Sequence, residues 1–145
     1  MKLCFVCSAG GHFTEALRLY QDLECNGFFI TFPSENLVGR KERIYRVVDV
    51  RRNPLRFFMA FFQILFILLK EGVDVVISTG AGLAVPACYI GKIMGKKVVH
   101  LEIGCNVTRP SFSGRLIYHI ADLFIVEWKG LLKYYPKAKY GGLLI

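Results

Sequence analysis

The chain has 145 residues, which is enough for one ordinary globular domain with a hydrophobic core. Hydrophobic residues make up 54% of it and aromatic residues 14%, and this composition excludes an intrinsically disordered chain. The formal net charge of +8 favours anionic partners such as phosphate-bearing substrates or acidic lipid. Nucleic acid is the least favoured partner, because the aromatic residues lie in apolar runs rather than between basic residues.

A glycine turn follows the first predicted strand. The apolar run Leu3 to Val6 leads into Ser8 to His12, after which apolar residues recur at the spacing of one helix face. Gly10 and Gly11 let the backbone turn sharply and approach a ligand, and the free N–H groups of the following helix favour a phosphate. We therefore predict a binding loop for a phosphorylated ligand, with His12 beside it. A plain strand-to-helix turn is the alternative.

This loop does not match a known cofactor motif. It lacks the third glycine of the dinucleotide fingerprint and the Lys-Ser/Thr of a P-loop. Cys4 and Cys7 stand three apart in the predicted strand, so their side chains point to opposite faces. We expect no cofactor and no metal, and we predict that the five cysteines are reduced thiols.

A long apolar run follows two further predicted strands, Phe28 to Phe32 and Ile44 to Val50. From Phe57 to Leu69 only Gln63 is polar, and Pro54 stands where a helix can begin. Such a helix spans roughly 20 Å, less than the hydrocarbon core of a bilayer, so we do not expect it to cross a membrane.

The predicted helix is apolar on all sides, whereas a helix beside a sheet needs only one apolar stripe. Its outer face is therefore expected to contact a membrane surface or a partner, with full burial as the alternative. The predicted membrane contacts are Arg52, Arg56, Phe57, Phe58, Phe61, Phe62 and Leu65.

Strands and helices alternate through the rest of the chain. The predicted elements are strands Val73 to Ser78, Val98 to Leu101 and Leu123 to Val126, helices Ala84 to Met94 and Gly114 to Ala121, and a short helix or turn Trp128 to Tyr135. This alternation predicts an α/β fold over residues 1–145 as a single domain: a Rossmann-like, doubly wound parallel sheet with right-handed crossovers.

Ligands of such folds bind beyond the carboxyl ends of the strands. Three predicted loops lie there: Ser8 to His12, Thr79 to Gly82, and Glu102 to Arg109. Together they bring two glycine turns, one imidazole, one carboxylate and one arginine to the same place.

The order of the motifs is more specific than any one of them. They are Ser8 to His12 with Glu15-Ala16-Leu17, Ser78 to Gly82 with Pro86, and Gly114 to Tyr118 with Ile120-Ala121-Asp122 and Phe124-Ile125-Val126. In this order they resemble, over essentially the whole chain, the acceptor-side subunits of two-part glycosyltransferases. That family includes the anchoring subunit of the dolichol-pathway UDP-GlcNAc transferase, PssD-like subunits of exopolysaccharide and capsule synthesis and, more distantly, the N-terminal half of MurG.

The resemblance implies a GT-B glycosyltransferase divided over two chains. This chain would be the Rossmann-like acceptor half, inactive alone, and a partner chain would bind the UDP-sugar. The implied reaction is an inverting transfer to a saccharide on a polyisoprenyl diphosphate, at the cytoplasmic face of the membrane. We expect peripheral attachment, since the chain starts at its first strand without the transmembrane anchor of the dolichol-pathway subunit.

The resemblance also assigns the residues of the site. His12 matches the family's Gly-Gly-His position, and Glu102 is similar in position to a glutamate of MurG-like enzymes; either could be the general base, or could only orient the acceptor. His100 and His119 are expected to be structural. The acceptor diphosphate is assigned to Ser8, Gly10, Gly11, Gly80, Gly82 and Arg109.

The partner is expected to bind at Leu143, Leu144 and Ile145, where the chain ends without a polar tail. A last strand that completes the chain's own sheet is the alternative. Two other functions stay open. The chain could be a non-catalytic anchor of the partner transferase, or a stand-alone nucleotide- or phosphate-binding protein, against which the apolar helix argues.

Overall fold

The structure, a computed structural model, describes residues 1–103 and 106–143. The strands are β1 Lys2–Val6, β2 Asn26–Thr31, β3 Ile44–Arg46, β4 Val75–Ser78, β5 Lys97–Glu102, β6 Leu123–Val126 and β7 Lys139–Tyr140. The α-helices are α1 Gly11–Asp22, α2 Pro54–Glu71, α3 Ala84–Ile93 and α4 Phe112–Tyr118, and short 3-10 helices cover Glu35–Leu37 and Lys129–Lys133.

The strands form one parallel sheet in the order β3-β2-β1-β4-β5-β6-β7. The chain order reverses between β1 and β4, and this reversal is the switch point of a doubly wound sheet. One face packs on α1 through Phe13, Ala16 and Leu17, and the other face packs on α2, α3 and α4. The predicted fold class is confirmed, and Cys4 and Cys7 are buried thiols on opposite faces, as predicted.

On the face that carries α1, Val75, Val99, Leu123 and Ile125 of β4, β5 and β6 are only partly buried. They line an open apolar groove of about 410 Å³ together with Leu19, Leu23 and Cys25. An isolated domain would expose this groove to water.

The elements that differ most from the predictions are the third strand, helix α4 and strand β7. The third strand ends at Arg46 rather than Val50, because the Val48 N–H leaves the sheet and donates to Gln63 of α2 at 2.9 Å. Helix α4 begins two residues earlier than predicted, since Ser111 caps it by accepting from the Gly114 N–H at 2.9 Å. Strand β7 was not predicted, because two residues of mixed polarity give no strand pattern.

Helix α2 is longer than the apolar run that predicted it. Asn53 caps its start by accepting from two backbone N–H groups, and Gly72 ends it in a left-handed conformation at φ 61°. Within the described residues, no helix combines the length and apolar character needed to span a bilayer.

Only one stripe of α2 faces the core. Its buried residues are Ala60, Ile64, Ile67, Leu68 and Glu71, and Phe61 and Leu65 are partly buried against the same core. The opposite stripe is exposed and carries Leu55, Phe58, Met59, Phe62, Phe66 and Leu69. The predicted exposed apolar face therefore exists. Phe66, Met59 and Leu69 are exposed on it, whereas the predicted members Phe61 and Leu65 are partly buried against the core.

A buried carboxylate, Glu71, ties the end of α2 to β1 and to the start of β3. One oxygen lies 2.7 Å from Lys2 Nζ; the other lies 2.6 Å from the Arg43 guanidinium and accepts from the Tyr45 hydroxyl. Burial alone would raise the pKa of Glu71, but the hydrogen bonds from Lys2 and Tyr45 and the charge of Arg43 outweigh burial and lower it.

We expect Glu71→Gln to lower the free energy of unfolding by about 2 kcal/mol at neutral pH, because three partners lose the negative charge that they contact. The native pKa of Glu71 lies below its usual value of 4.5, so this stabilisation is complete above that pH and is lost as the pH falls. The difference between the variant and the wild type should shrink with acidification in urea denaturation. Glu35→Gln, at an exposed site, is the control, and wild-type stability of Glu71→Gln at neutral pH would contradict the account.

Candidate functional site

The carboxyl ends of the parallel strands meet at one end of the sheet. The loops that follow β1, β4 and β5 contain Ser8 to His12, Thr79 to Gly82 and the described part of Glu102 to Arg109. Since β1, β4 and β5 are neighbours in the sheet, the three predicted loops are brought together beside the switch point, as predicted.

The first glycine turn leaves open space in front of α1. Gly10 has φ 102°, a conformation that other L-residues rarely adopt, and it supplies no side-chain cap to the helix. A Cβ on Gly10 or Gly11 would meet no atom within 4 Å. The first N–H groups of α1 and the positive end of its dipole therefore face a space that an anion could enter.

A cavity of about 320 Å³ lies beside this turn and is lined by Gly10, Phe13, Thr14, Asn36, Leu37 and Arg40. The Arg40 guanidinium lies 5.5 Å from the centroid of the Phe13 ring, which holds its charge near the glycine turn. Arg40 was given no role in the sequence analysis. The signal that could have identified it is topological: its loop follows β2, whose carboxyl end lies beside that of β1.

His12 is held by the second glycine turn. Its Nδ1 lies 2.6 Å from the carbonyl oxygen of Thr79, and the Thr79 hydroxyl donates to the His12 carbonyl at 2.9 Å. Because a carbonyl oxygen only accepts, Nδ1 carries the proton and Nε2 of the neutral ring keeps a lone pair. Gly80 is required here, since a Cβ would lie 3.0 Å from Cε1 of the His12 ring.

Glu102 lies below this surface and is 1% exposed. One oxygen accepts from Asn106 Nδ2 at 2.8 Å and from the Ser111 N–H at 3.0 Å, and the other accepts from the Tyr135 hydroxyl at 3.3 Å. Burial alone would raise the pKa of Glu102, but the nearby His100 ring, 3.6 Å away, and the hydrogen bond from Ser111 outweigh burial and lower it. The carboxylate is ionised, and its contacts hold the loop that leads to α4.

The other predicted site residues differ in exposure. Ser8 is partly buried at the end of β1, Gly82 is exposed in the second glycine turn, and Arg109 is exposed in the loop after β5. Their loops lie at the same end of the sheet as His12, so the position expected from the sequence is confirmed, whereas their roles stay predictions.

Sequence reasoning gave no role to Glu15, one helical turn after His12. One of its carboxylate oxygens is buried without a hydrogen-bond partner. Burial raises its pKa to about 7, and the nearby carboxylate of Glu127, which follows β6, adds to the shift while Arg18 opposes it. Glu15 is thus a partly buried carboxyl group near the site that can take up a proton close to neutral pH.

Comparisons with known sequences agree with the resemblance. A family model described as "Oligosaccharide biosynthesis protein Alg14 like" matches residues 42–144. The UDP-N-acetylglucosamine transferase subunit ALG14 of Mus musculus is 30% identical over 182 aligned positions, which cover 100% of this chain and 83% of that protein. The Homo sapiens protein of the same name is 25% identical over 181 positions, with the same coverage.

Solved structures share the fold. Acinetobacter baumannii MurG superimposes with a TM-score of 0.77 at 19% identity, over 90% of this chain and 43% of MurG. The UDP-GlcNAc 2-epimerase of Methanocaldococcus jannaschii, solved with UDP-GlcNAc and UDP, gives a TM-score of 0.77 at 17% identity, over 94% of this chain and 43% of the epimerase. This chain therefore spans less than half the length of these structures.

The family model covers more than half of the chain, and the mouse relative aligns with all of it. Both matches include the loops at the carboxyl end of the sheet that follow β4 and β5. The chain belongs to the family of Alg14-like oligosaccharide biosynthesis proteins.

Proposed function

We propose that this chain is the acceptor-binding subunit of a two-chain, inverting glycosyltransferase. The reaction transfers N-acetylglucosamine from UDP-GlcNAc to a saccharide on a polyisoprenyl diphosphate, in the synthesis of a lipid-linked oligosaccharide or a polysaccharide. The observation that carries the proposal is the His12 imidazole, fixed through Nδ1 so that Nε2 keeps its lone pair. It lies between two glycine turns of a chain whose relatives are named UDP-GlcNAc transferase subunits.

The partner is a donor-binding chain, and the active enzyme is their heterodimer. Two facts support this division: relatives are named as subunits, and this chain matches only 43% of the length of MurG. The open apolar groove on β4, β5 and β6 offers a further surface for contact with a second chain. Leu143 is exposed and stays a proposed partner contact; Leu144 and Ile145, predicted with it, lie outside the described residues.

The diphosphate of the acceptor binds in front of α1. Backbone N–H groups at Gly10, Gly11 and His12 donate to phosphate oxygens, and the dipole of α1 favours their charge. Arg40 adds a cation at the wall of the adjoining cavity. Ser8, Gly80, Gly82 and Arg109 are the further contacts that the sequence analysis assigned to this group.

His12 is the general base. Nε2 accepts the proton of the acceptor hydroxyl as that oxygen attacks the anomeric carbon, and the bond to UDP breaks on the opposite side. The imidazolium that forms keeps its Nδ1–H bond to the Thr79 carbonyl, which stabilises the positive charge. Glu102, the other candidate, has both oxygens engaged by protein donors, which supports a structural role at the site rather than proton transfer.

Helix α2 rests on the membrane surface, so that the protein attaches peripherally at the cytoplasmic face. Its exposed stripe repeats every three or four residues, which is the spacing of one helix face, through Leu55, Phe58, Phe62, Phe66 and Leu69. Arg52 and Arg56 are exposed at its start, where they can contact anionic lipid. Since α2 follows β3, this basic start lies at the same end of the sheet as the glycine turns.

We expect lipid-linked product only when this chain and its donor-binding partner are combined with radiolabelled UDP-GlcNAc and a membrane lipid extract. His12→Ala should lower kcat by roughly 10²- to 10⁴-fold, the usual contribution of a general base, without dissociating the complex. His119→Gln, at an exposed histidine, is the matched control.

Transfer by either chain alone would contradict the two-chain proposal. Unchanged turnover of His12→Ala in an intact complex would instead favour the non-catalytic anchor. Binding of free nucleotide by the chain alone, without lipid product in any combination, would favour the stand-alone binding protein.

We expect simultaneous replacement of Phe58, Phe62 and Phe66 by Ser to reduce binding to anionic vesicles at least tenfold, because each buried Phe contributes about 2 kcal/mol. Flotation of the full chain with vesicles measures the bound fraction. Phe112→Ser removes an aromatic residue outside α2 that is even more exposed, and this variant should bind as the wild type does. Equal binding of the triple variant and the wild type would contradict a membrane role for α2.

A further inference from the structure

A row of buried polar side chains lies beneath the site, on the sheet face that packs against α3 and α4. Ser78 at the end of β4 and His100 on β5 are direct cross-strand neighbours, and both are 0% exposed. Glu102 follows His100 on the same face of β5. Polar groups are costly in such a core unless they are paired, so their partners indicate what the row does.

The partners define one direction for the hydrogen bonds. His100 Nδ1 lies within hydrogen-bond distance of Ser78 Oγ, at 3.1 Å. Within the described residues its Nε2 makes no hydrogen bond, but it lies 3.6 Å from the ionised carboxylate of Glu102. Burial lowers the pKa of His100, so the ring is neutral and carries a single N–H. That N–H belongs on Nε2, facing the negative charge, which leaves Nδ1 to accept from the Ser78 hydroxyl.

The Ser78 oxygen reaches the second glycine turn. It accepts from the Gly80 N–H at 3.1 Å, so the hydroxyl hydrogen stays available for His100. The peptide that it fixes contacts His12 twice. The Thr79 carbonyl accepts from Nδ1 of the ring, and Gly80 lies against the ring at a distance that leaves no room for a Cβ.

We propose that His100 is a positioning residue: through Ser78 it fixes the Thr79–Gly80 peptide and so sets the tautomer and orientation of the His12 ring. His100 touches no reacting atom in this arrangement. Its effect on turnover rests on the proposed function, whereas its effect on His12 does not. The sequence analysis assigned His100 only a structural role, because a histidine within a buried strand gives no sign of a hydrogen-bonded path to another loop.

Nitrogen NMR of the imidazole rings in the full chain tests this directly, since the chain has only three histidines. In the wild type, His12 should show the single tautomer with the proton on Nδ1. Ser78→Ala and His100→Leu should each give His12 a mixture of tautomers. His100→Asn should keep the wild-type pattern, because its amide oxygen can accept from Ser78 in place of Nδ1, and His119→Gln is the control.

In the assembled enzyme, Ser78→Ala and His100→Leu should lower kcat by roughly ten- to a hundredfold through misplacement of the base, with the KM for the donor unchanged. Wild-type His12 signals in both variants would overturn the inference. Altered His12 signals with unchanged turnover would support the positioning but remove His12 from the chemistry. If Ser78→Ala does not fold, the comparison of His100→Leu with His100→Asn tests the inference. Only the Asn variant keeps an atom that can accept a hydrogen bond from Ser78.

Discussion

The hydrogen bond between His12 Nδ1 and the Thr79 carbonyl, 2.6 Å long, joins the two loops on which the site depends. These loops follow β1 and β4, the strands at which the chain order of the sheet reverses. The bond gives the imidazole one tautomer, with the proton on Nδ1 and the lone pair on Nε2. It forms only because Gly80 leaves room for the ring and Gly10 allows the chain to enter α1 at φ 102°. The two glycine turns thus shape one site rather than two.

The polar residues of the site and the exposed apolar residues lie on different parts of the molecule. Parallel strands bring His12, the glycine turns and Arg40 to one end of the sheet, whereas the exposed apolar stripe runs along the side of α2. The basic start of α2 lies where these two regions approach each other. A substrate with a charged diphosphate and an apolar tail matches this arrangement, because both of its parts then meet a suitable surface.

Much of this could be predicted from the sequence, because the signals are local. The glycine turns, the alternation of strands with helices and the unusual apolar character of α2 each lie within a short stretch of chain. The surroundings of Glu102 could not be predicted, since its partners Ser111 and Tyr135 are brought to it by the fold. Arg40 was missed for the same reason, and the third strand was predicted too long because Gln63 draws Val48 away from the sheet.

The proposed function depends on binding of the acceptor diphosphate at the first glycine turn of this chain. The most direct measurement is an amide NMR titration of the full chain with N-acetylglucosamine linked to a short-chain prenyl diphosphate. Binding of the prenyl diphosphate should shift the signals of the Gly10, Gly11 and His12 N–H groups most strongly, and UDP-GlcNAc should shift the same signals less. Shifts by UDP-GlcNAc at these residues, with none from the prenyl diphosphate, would contradict the account and assign the donor to this chain.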